Sequence, residues 1–309
     1  MKILITGGAG FVGSYLCAKY VSRGYNVIAM DNLCNGKKEN ISSLLGKKNF
    51  TFIQENITDS KFLKTKLKDV DCIFHLAAII NVEQATDSPY LAYNTNVLGT
   101  LNVLENARLQ KVPKIIVASS AEIYGTAQYE PMDEKHPLDA PHIYGATKIA
   151  VDRMCKAYID TYNMDIRVLR TFNIFGPRQK DNGYGSVIPI FIKRVKEGKS
   201  PQVFGTGEQT RDYTYITDLI EAYDLVFKYK KPIKEPLNVG TGKAYKIKDI
   251  AKKIINLSNK DVSIKFVKPR KGEVIHFNCD YAKIKKTLGW KPKVSFENGL
   301  KELIKYYGD

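Results

Sequence analysis

Two rhythms of apolar residues alternate along the first 170 positions. Short runs of Ile, Val, Leu and Phe, near-continuous rather than alternating, occupy Lys2–Thr6, Asn26–Met30, Phe50–Gln54, Asp71–Leu76, Lys114–Ser119 and Asp165–Arg170. Between them lie longer stretches with helical spacing, notably Phe11–Ser22, Tyr90–Leu109 and Tyr144–Tyr162. Strands that are apolar on both faces and separated by helices predict a parallel sheet covered on both sides. The fold class expected is therefore α/β, a doubly wound Rossmann-type sheet with a second, smaller mixed α/β lobe.

After Arg170 the rhythm changes, and Gly, Pro and polar residues punctuate the segment from Gly176 to Gly185. The expected division is a dinucleotide-binding domain over 1–170, a return to it over about 216–242, and a substrate lobe built from 171–215 and 243–309. Pro236–Gly240 has the pattern of a strand that rejoins the main sheet.

The first predicted strand runs into Thr6-Gly-Gly-Ala-Gly-Phe-Val-Gly13, which places Gly8-x-Gly10-x-x-Gly13 at a strand-to-helix turn. Glycines there permit a tight turn, close approach of a pyrophosphate and close helix–strand packing. The following helix N-terminus offers backbone N–H groups and a dipole that favours phosphate. Asp31 stands at the end of the second strand, where a carboxylate accepts hydrogen bonds from ribose hydroxyls and repels a 2′-phosphate. That selects NAD over NADP.

Tyr144 and Lys148 lie four residues apart on a predicted helix and so share a face. Such a pair on its own is most often a wet surface. In company with a dinucleotide site it describes a base, because an ammonium beside a phenol favours the phenolate. Ser120, at the carboxyl end of the fifth strand, faces the crevice where ligands of parallel sheets bind and completes a Ser–Tyr–Lys triad.

Composition narrows the alternatives. A hydrophobic content of 44% with no apolar run near the roughly 20 residues of a membrane span fits a globular protein off the membrane. Met1 leads straight into a strand, and the five cysteines are odd in number without a CxxC; both point to a reducing, cytoplasmic setting without disulfides. The four histidines lack ligand spacing, so no metal is expected. The net charge of +16 suits an enzyme for anionic substrates, but the lysines are spread along the chain and no nucleic-acid motif accompanies them, so no nucleic-acid partner is expected.

At this point the chain resembles the extended short-chain dehydrogenases/reductases that act as nucleotide-sugar epimerases and dehydratases. The motifs that carry the resemblance are TGGAGFVG, Asp31, His75-Leu-Ala-Ala78, NTNVLGT from Asn94 to Thr100, SSAEIYG, YGATK, RTFNIFGPR from Arg170 to Arg178, GTGEQTRDY from Gly205 to Tyr213, and Leu288-Gly-Trp-Lys-Pro292. The resemblance implies tightly held NAD contacted by Gly7, Gly10, Phe11, Val12, Gly13, Asp31, Asn32, Asn56, Ile57, Leu76, Ala77, Ala78, Asn96, Tyr144 and Lys148. It implies a UDP-sugar held by Asn173, Arg211, Arg270 and Glu273, with Phe277 limiting room at the sugar C2. It also implies a homodimer formed through helices Tyr90–Leu109 and Tyr144–Tyr162. His75 is expected to be a packed, hydrogen-bonded residue, and Trp290 a packing group.

The resemblance fixes the first step, oxidation of a sugar 4-hydroxyl to a ketone, and leaves the sequel open at Glu122. A carboxylate there fits acid/base work at C5, as in dehydratases and decarboxylases. Dehydratases of this family carry an acid immediately before that Glu, and here the residue is Ala121. The Ser-x-Glu of UDP-glucuronate decarboxylases is closer locally, but His75–Asn81 lacks their pocket sequence. The leading expectation is a UDP-glucose/UDP-galactose 4-epimerase. The alternatives are a UDP-glucuronate decarboxylase or 4-epimerase, a dTDP-hexose 4,6-dehydratase, and a silent NAD-sensing or RNA-associated relative.

Overall fold

The computed structural model of the protein describes residues 1–181, 186–269 and 274–307. These residues form two compact units. The first comprises Met1–Ser120, Ile143–Arg170 and Tyr223–Pro236; the second comprises Ala121–His142, Thr171–Ala222 and Leu237–Asp309.

The first unit is organised by strands β1 (Lys2–Thr6), β2 (Asn26–Met30), β3 (Phe50–Ile53), β4 (Cys72–His75), β5 (Ile115–Ser120) and β6 (Ile166–Thr171). They stand in the order β6-β5-β4-β1-β2-β3, whereas β10 (Leu237–Val239) falls within the second unit. The order reverses between β4 and β1, the position where an open parallel sheet leaves a crevice beyond its carboxyl ends. Thr6, Asp31, His75 and Ser120 all stand at those ends or one residue past them.

Both faces of the sheet are buried, which is why its strands read as unbroken apolar runs. On one face Leu4, Ile73, Ile115, Val117 and Ile166 join Leu63 of α2 (Ser60–Lys66), Val103 and Leu104 of α5 (Gly99–Leu109), and Val151, Cys155 and Ile159 of α6 (Ile143–Tyr162) in one cluster. On the other, Phe74 meets Tyr20 of α1 (Phe11–Ser22) with ring centroids 5.1 Å apart, and Phe227 at 5.7 Å.

The stretch read as one helix over Tyr90–Leu109 is interrupted. After α3 (Val82–Asp87), α4 spans Pro89–Tyr93, a π-helical turn spans Asn94–Leu98, and only then does α5 begin. The wider turn presents Asn96 sideways: its Oδ1 accepts Ile79 N–H at 2.7 Å, while its amide donates to the Ile79 carbonyl and to Thr147 Oγ1, each at 2.9 Å. One side chain thereby ties the segment after β4 to α6. Gly99 follows because a Cβ there would stand 2.5 Å from Ile57 Cδ1.

In the second unit, β11 (Ala244–Lys246), β9 (Thr210–Tyr215) and β7 (Asn173–Phe175) form one small sheet, and β12 (Lys265–Val267) pairs with β8 (Gln202–Phe204). Helices α7 (Val187–Lys196), α8 (Ile247–Leu257), α9 (Ala282–Leu288) and α10 (Phe296–Tyr306) accompany them. Phe175 packs on Tyr215 and on Phe296, both with centroids 5.2 Å apart. Trp290 is buried and donates to the Asp218 carbonyl at 2.9 Å, while the Asp218 carboxylate caps Lys293 and Val294 N–H. This accounts structurally for the Leu288–Pro292 motif.

One buried ion pair braces the first unit. Asp152 on α6 takes two hydrogen bonds from Arg170, at 2.9 and 2.7 Å, and one from Ser119 Oγ at 3.2 Å; the acid and the arginine are 5% and 3% exposed. Removing one partner of such a pair strands the other charge away from water, at a cost of about 3–5 kcal/mol. Asp152→Ala is therefore expected to lower the unfolding free energy measured by urea titration by that amount; a value within about 0.5 kcal/mol of the parent, the spread of ordinary surface substitutions, would contradict the bracing role.

Candidate active site

The dinucleotide cradle is built by close contact. Gly7 has φ +69°, a left-handed conformation that suits glycine, and a Cβ there would stand 2.9 Å from Ala77 N. A Cβ on Gly8 would lie 2.7 Å from that of Ala29, and one on Gly13 would collide with the Gly7 carbonyl. These glycines let the first turn of α1 press against β1 and β2, so Phe11, Val12 and Gly13 supply first-turn N–H groups at the sheet edge. The cradle fits a pyrophosphate.

Asp31 sits beside it. Its carboxylate accepts Ala9 N–H at 3.0 Å and Leu33 N–H at 2.8 Å, and Gly36 lies so close that a Cβ would stand 2.7 Å from Oδ2. Burial pushes this carboxyl above its ordinary value, against hydrogen bonds from Leu33, Ala9 and Gly10 N–H. The site is thus a fixed acceptor at the end of β2, suited to a ribose diol. Asn32 and Asn56 shape the neighbouring turns by accepting Cys34 N–H and Thr58 N–H, each at 3.1 Å. Ile57 is buried in the core.

His75 belongs to the scaffold. Thr100 Oγ1 lies 2.5 Å from the Asn96 carbonyl, which can only accept, so the threonine proton goes there and His75 Nε2 must donate to Thr100, at 2.9 Å. Nδ1 then accepts from Thr6 Oγ1 at 2.8 Å, and Thr6 in turn accepts Leu76 and Ala77 N–H, both at 3.2 Å. Burial, with the Lys148 charge added, lowers the imidazole to about 3 and keeps it neutral. The network positions residues 76–78 above the cradle. Both amide protons of Asn96 are engaged inside the protein.

Tyr144 and Lys148 share the inner face of α6, both buried, with Ser120 buried at the end of β5. Tyr144 packs against Ile79, Ala85 and Ala92, which fixes the ring. Lys148 Nζ donates to the Ala118 carbonyl of β5 at 2.8 Å, tying the helix to the strand that carries Ser120. Burial pulls this ammonium down from its ordinary 10.5 to about 8, with Cys155 and Asp152 working against the fall.

The second unit holds the remaining predicted residues. Asn173 opens β7, paired in register with Tyr213, and its Oδ1 is buried with no hydrogen-bond partner. Arg211 donates to the Thr210 carbonyl at 2.8 Å and lies over the buried Phe277 ring, 5.7 Å from its centroid, while that ring packs on Phe172 at 5.1 Å. Arg270 and Glu273 lie outside the described residues. Glu122 has a partner that sequence reasoning missed: His142 Nε2 stands 3.0 Å from its Oε2. Burial pushes this carboxyl up, but the His142 hydrogen bond and the Arg211 charge outweigh it and hold the group below its ordinary value. The one available sequence signal for His142 was its place two residues before Tyr144.

Among the described residues no helix is long and apolar enough to cross a membrane, and no group of three or more His, Cys, Asp or Glu could hold a metal.

Residues 4–303 match the family model described as GDP-mannose 4,6 dehydratase. The chain is 37% identical to a Methanocaldococcus jannaschii protein provisionally assigned as a UDP-glucose 4-epimerase, over 98% of this chain and 97% of that one. It superposes on the UDP-glucose 4-epimerase of Thermotoga maritima, crystallised with UDP-glucose, with a TM-score of 0.94 and 34% identity over 100% of this chain and 99% of the other. The Bacillus cereus UDP-glucuronic acid 4-epimerase, crystallised with UDP-glucuronic acid and NAD, gives a TM-score of 0.94 and 32% identity over 100% and 99%. With the glycine cradle, the Asp31 acceptor and the buried Tyr144–Lys148 pair, these likenesses establish that the chain belongs to the extended short-chain dehydrogenase/reductase family of NAD-dependent nucleotide-sugar epimerases and dehydratases.

Proposed function

We propose that this chain interconverts UDP-glucose and UDP-galactose by epimerisation at C4 through a transient 4-keto sugar. The observation that supports it most is a buried Ser120–Tyr144–Lys148 set at the carboxyl end of the sheet, followed by Ala121 rather than an acid before Glu122. In this reading the Lys148 ammonium favours the Tyr144 phenolate, which takes the proton of the sugar 4-hydroxyl, and Ser120 hydrogen-bonds the same oxygen. Bound NAD would supply the acceptor, and then the donor, of the C4 hydride. The α1 N-terminus and Asp31 hold that cofactor, with Lys148 on its nicotinamide ribose. Asn173 and Arg211, joined by Arg270, bind the diphosphate, Glu273 binds the uridine ribose, and Phe277 limits bulk at C2, favouring plain hexoses over N-acetylhexosamines.

Purified protein without added cofactor, incubated with UDP-galactose, UDP-N-acetylgalactosamine, UDP-glucuronate and dTDP-glucose and followed by NMR, is expected to convert UDP-galactose to UDP-glucose. Formation of a 4-keto-6-deoxy sugar would sink this reading in favour of dehydration, and a pentose would do so in favour of decarboxylation. Tyr144→Phe should lower turnover by about 10²–10⁴-fold while bound NAD remains.

The buried lysine sets two opposite pH trends. Above about pH 8 the native Lys148 loses its proton, so the phenolate loses its partner and the rate should fall. The unfolded chain keeps that proton to its ordinary 10.5, binding more protons than the native state between the two values, so native stability should rise across pH 8–10.5. Parallel pH profiles of turnover and urea midpoint check this; a rate still rising above pH 9 would remove Lys148 from the role given to it.

A homodimer in the cytoplasm completes the proposal. Tyr90, Leu91, Tyr93, Leu98 and Leu101 stay exposed along one helical stretch of the first unit, with Tyr90 84% accessible. An exposed apolar row of this kind marks an association surface. Light scattering should give twice the chain mass, and Leu101→Glu should halve it; a monomeric parent would contradict the assignment.

A further inference from the structure

The segment Ala121–His142 leaves the first unit directly after Ser120 and returns directly before Ile143 and Tyr144. Its neck is pinched twice: Glu122 meets His142 at 3.0 Å, and Gly125 presses on Asp139 so closely that a Cβ would collide with the Asp139 carbonyl. Glu122 is two residues from Ser120, and His142 two from Tyr144. Backbone reach alone keeps each Cα within about 7 Å of its neighbour in the triad. The side chains of His142 and Glu122 are 8% and 20% exposed, so the pair is largely withdrawn from water.

A carboxylate in this place is chemically hazardous to an epimerase. Once C4 is a ketone, the hydrogens on C3 and C5 become acidic. A carboxylate that removed one would leave the C–H electron pair in an enolate, with its charge on the ketone oxygen. Reprotonation on carbon would then draw its proton from solvent. How readily this happens depends on the basicity of the carboxylate. Burial raises that basicity, whereas a donated N–H and a nearby cation lower it. Both a donated N–H, from His142, and a nearby cation, Arg211, act on Glu122.

We infer that His142 is a positioning residue that donates its Nε2–H to Glu122 and so keeps that carboxylate an acceptor for sugar hydroxyls rather than a base toward C3 or C5. The inference rests on the C4-epimerase reading and deepens it. His142 thereby restrains a base whose action would carry the ketone toward elimination or loss of stereochemistry. Without the donated N–H, Glu122 loses the largest of the influences that lower its basicity.

The test compares wild type, His142→Ala and His142→Gln holoenzymes acting on UDP-galactose in D2O, with products read by NMR. Wild type should retain protium at both carbons flanking C4. His142→Ala should introduce deuterium there at least several-fold faster per turnover, and His142→Gln, which keeps an N–H donor, should return the label to the wild-type level. Adding Glu122→Gln to His142→Ala should remove the label. A merely structural role would slow turnover without labelling. The inference is overturned if His142→Ala turns over without excess deuterium, if wild type labels equally, if His142→Gln labels like His142→Ala, or if the label survives loss of the Glu122 carboxylate. Should His142→Ala fail to retain NAD, His142→Leu takes its place with the same expected outcomes. Failure of wild type to form the 4-epimer would instead sink the reading beneath this inference.

Discussion

The burial of one ammonium is the constraint around which the first unit is arranged. Lys148 is 5% exposed, and the shift from its ordinary 10.5 to about 8 corresponds to about 3 kcal/mol held against its charged form. The protein tolerates this because Nζ finds the Ala118 carbonyl and because Asp152 lies one turn further along α6, itself fixed by Arg170. In return, α6 is locked to β5, so Tyr144 and Ser120 are held by the same contact that places the charge. In the proposed mechanism this burial matters, since the dielectric of water would weaken any interaction between the ammonium and the Tyr144 phenol. The same cation also lowers His75, which stays neutral and remains part of the scaffold.

Much of the first unit was legible in the sequence because independent signals agreed. Lys2–Thr6, Phe11–Ser22 and Asn26–Met30 have the bounds expected, since apolar period, glycine turn and strand end all coincide there. The helix read over Tyr90–Leu109 is where pattern and structure part. A π-helical turn changes hydrogen-bond register without changing which residues are apolar, so hydrophobic spacing cannot reveal it. Its use became visible only when Asn96 was seen to bracket Ile79 and reach Thr147. Position alone could not have shown that its amide protons are engaged internally.

The second unit was harder to read for a different reason. Its sheets pair strands of three to six residues that are distant in sequence, such as Lys265–Val267 with Gln202–Phe204, and so short a run carries little period. Glu122 drew notice through its motif, but its partner did not. His142 follows a proline in a loop, and the contact closes over 20 residues of chain. In the proposed mechanism the triad makes the ketone, and the inferred part of this contact is to limit what the ketone does next.

The central claim is that the buried Lys148 charge drives the first oxidation, and rapid mixing tests it most directly. Holoenzyme mixed with UDP-galactose should show a transient near-ultraviolet absorbance of reduced nicotinamide, whose rate falls as pH passes about 8. Lys148→Met, an uncharged side chain of similar length, should retain its cofactor and show no such transient. A transient of wild-type rate from Lys148→Met, unchanged across that pH range, would contradict the claim.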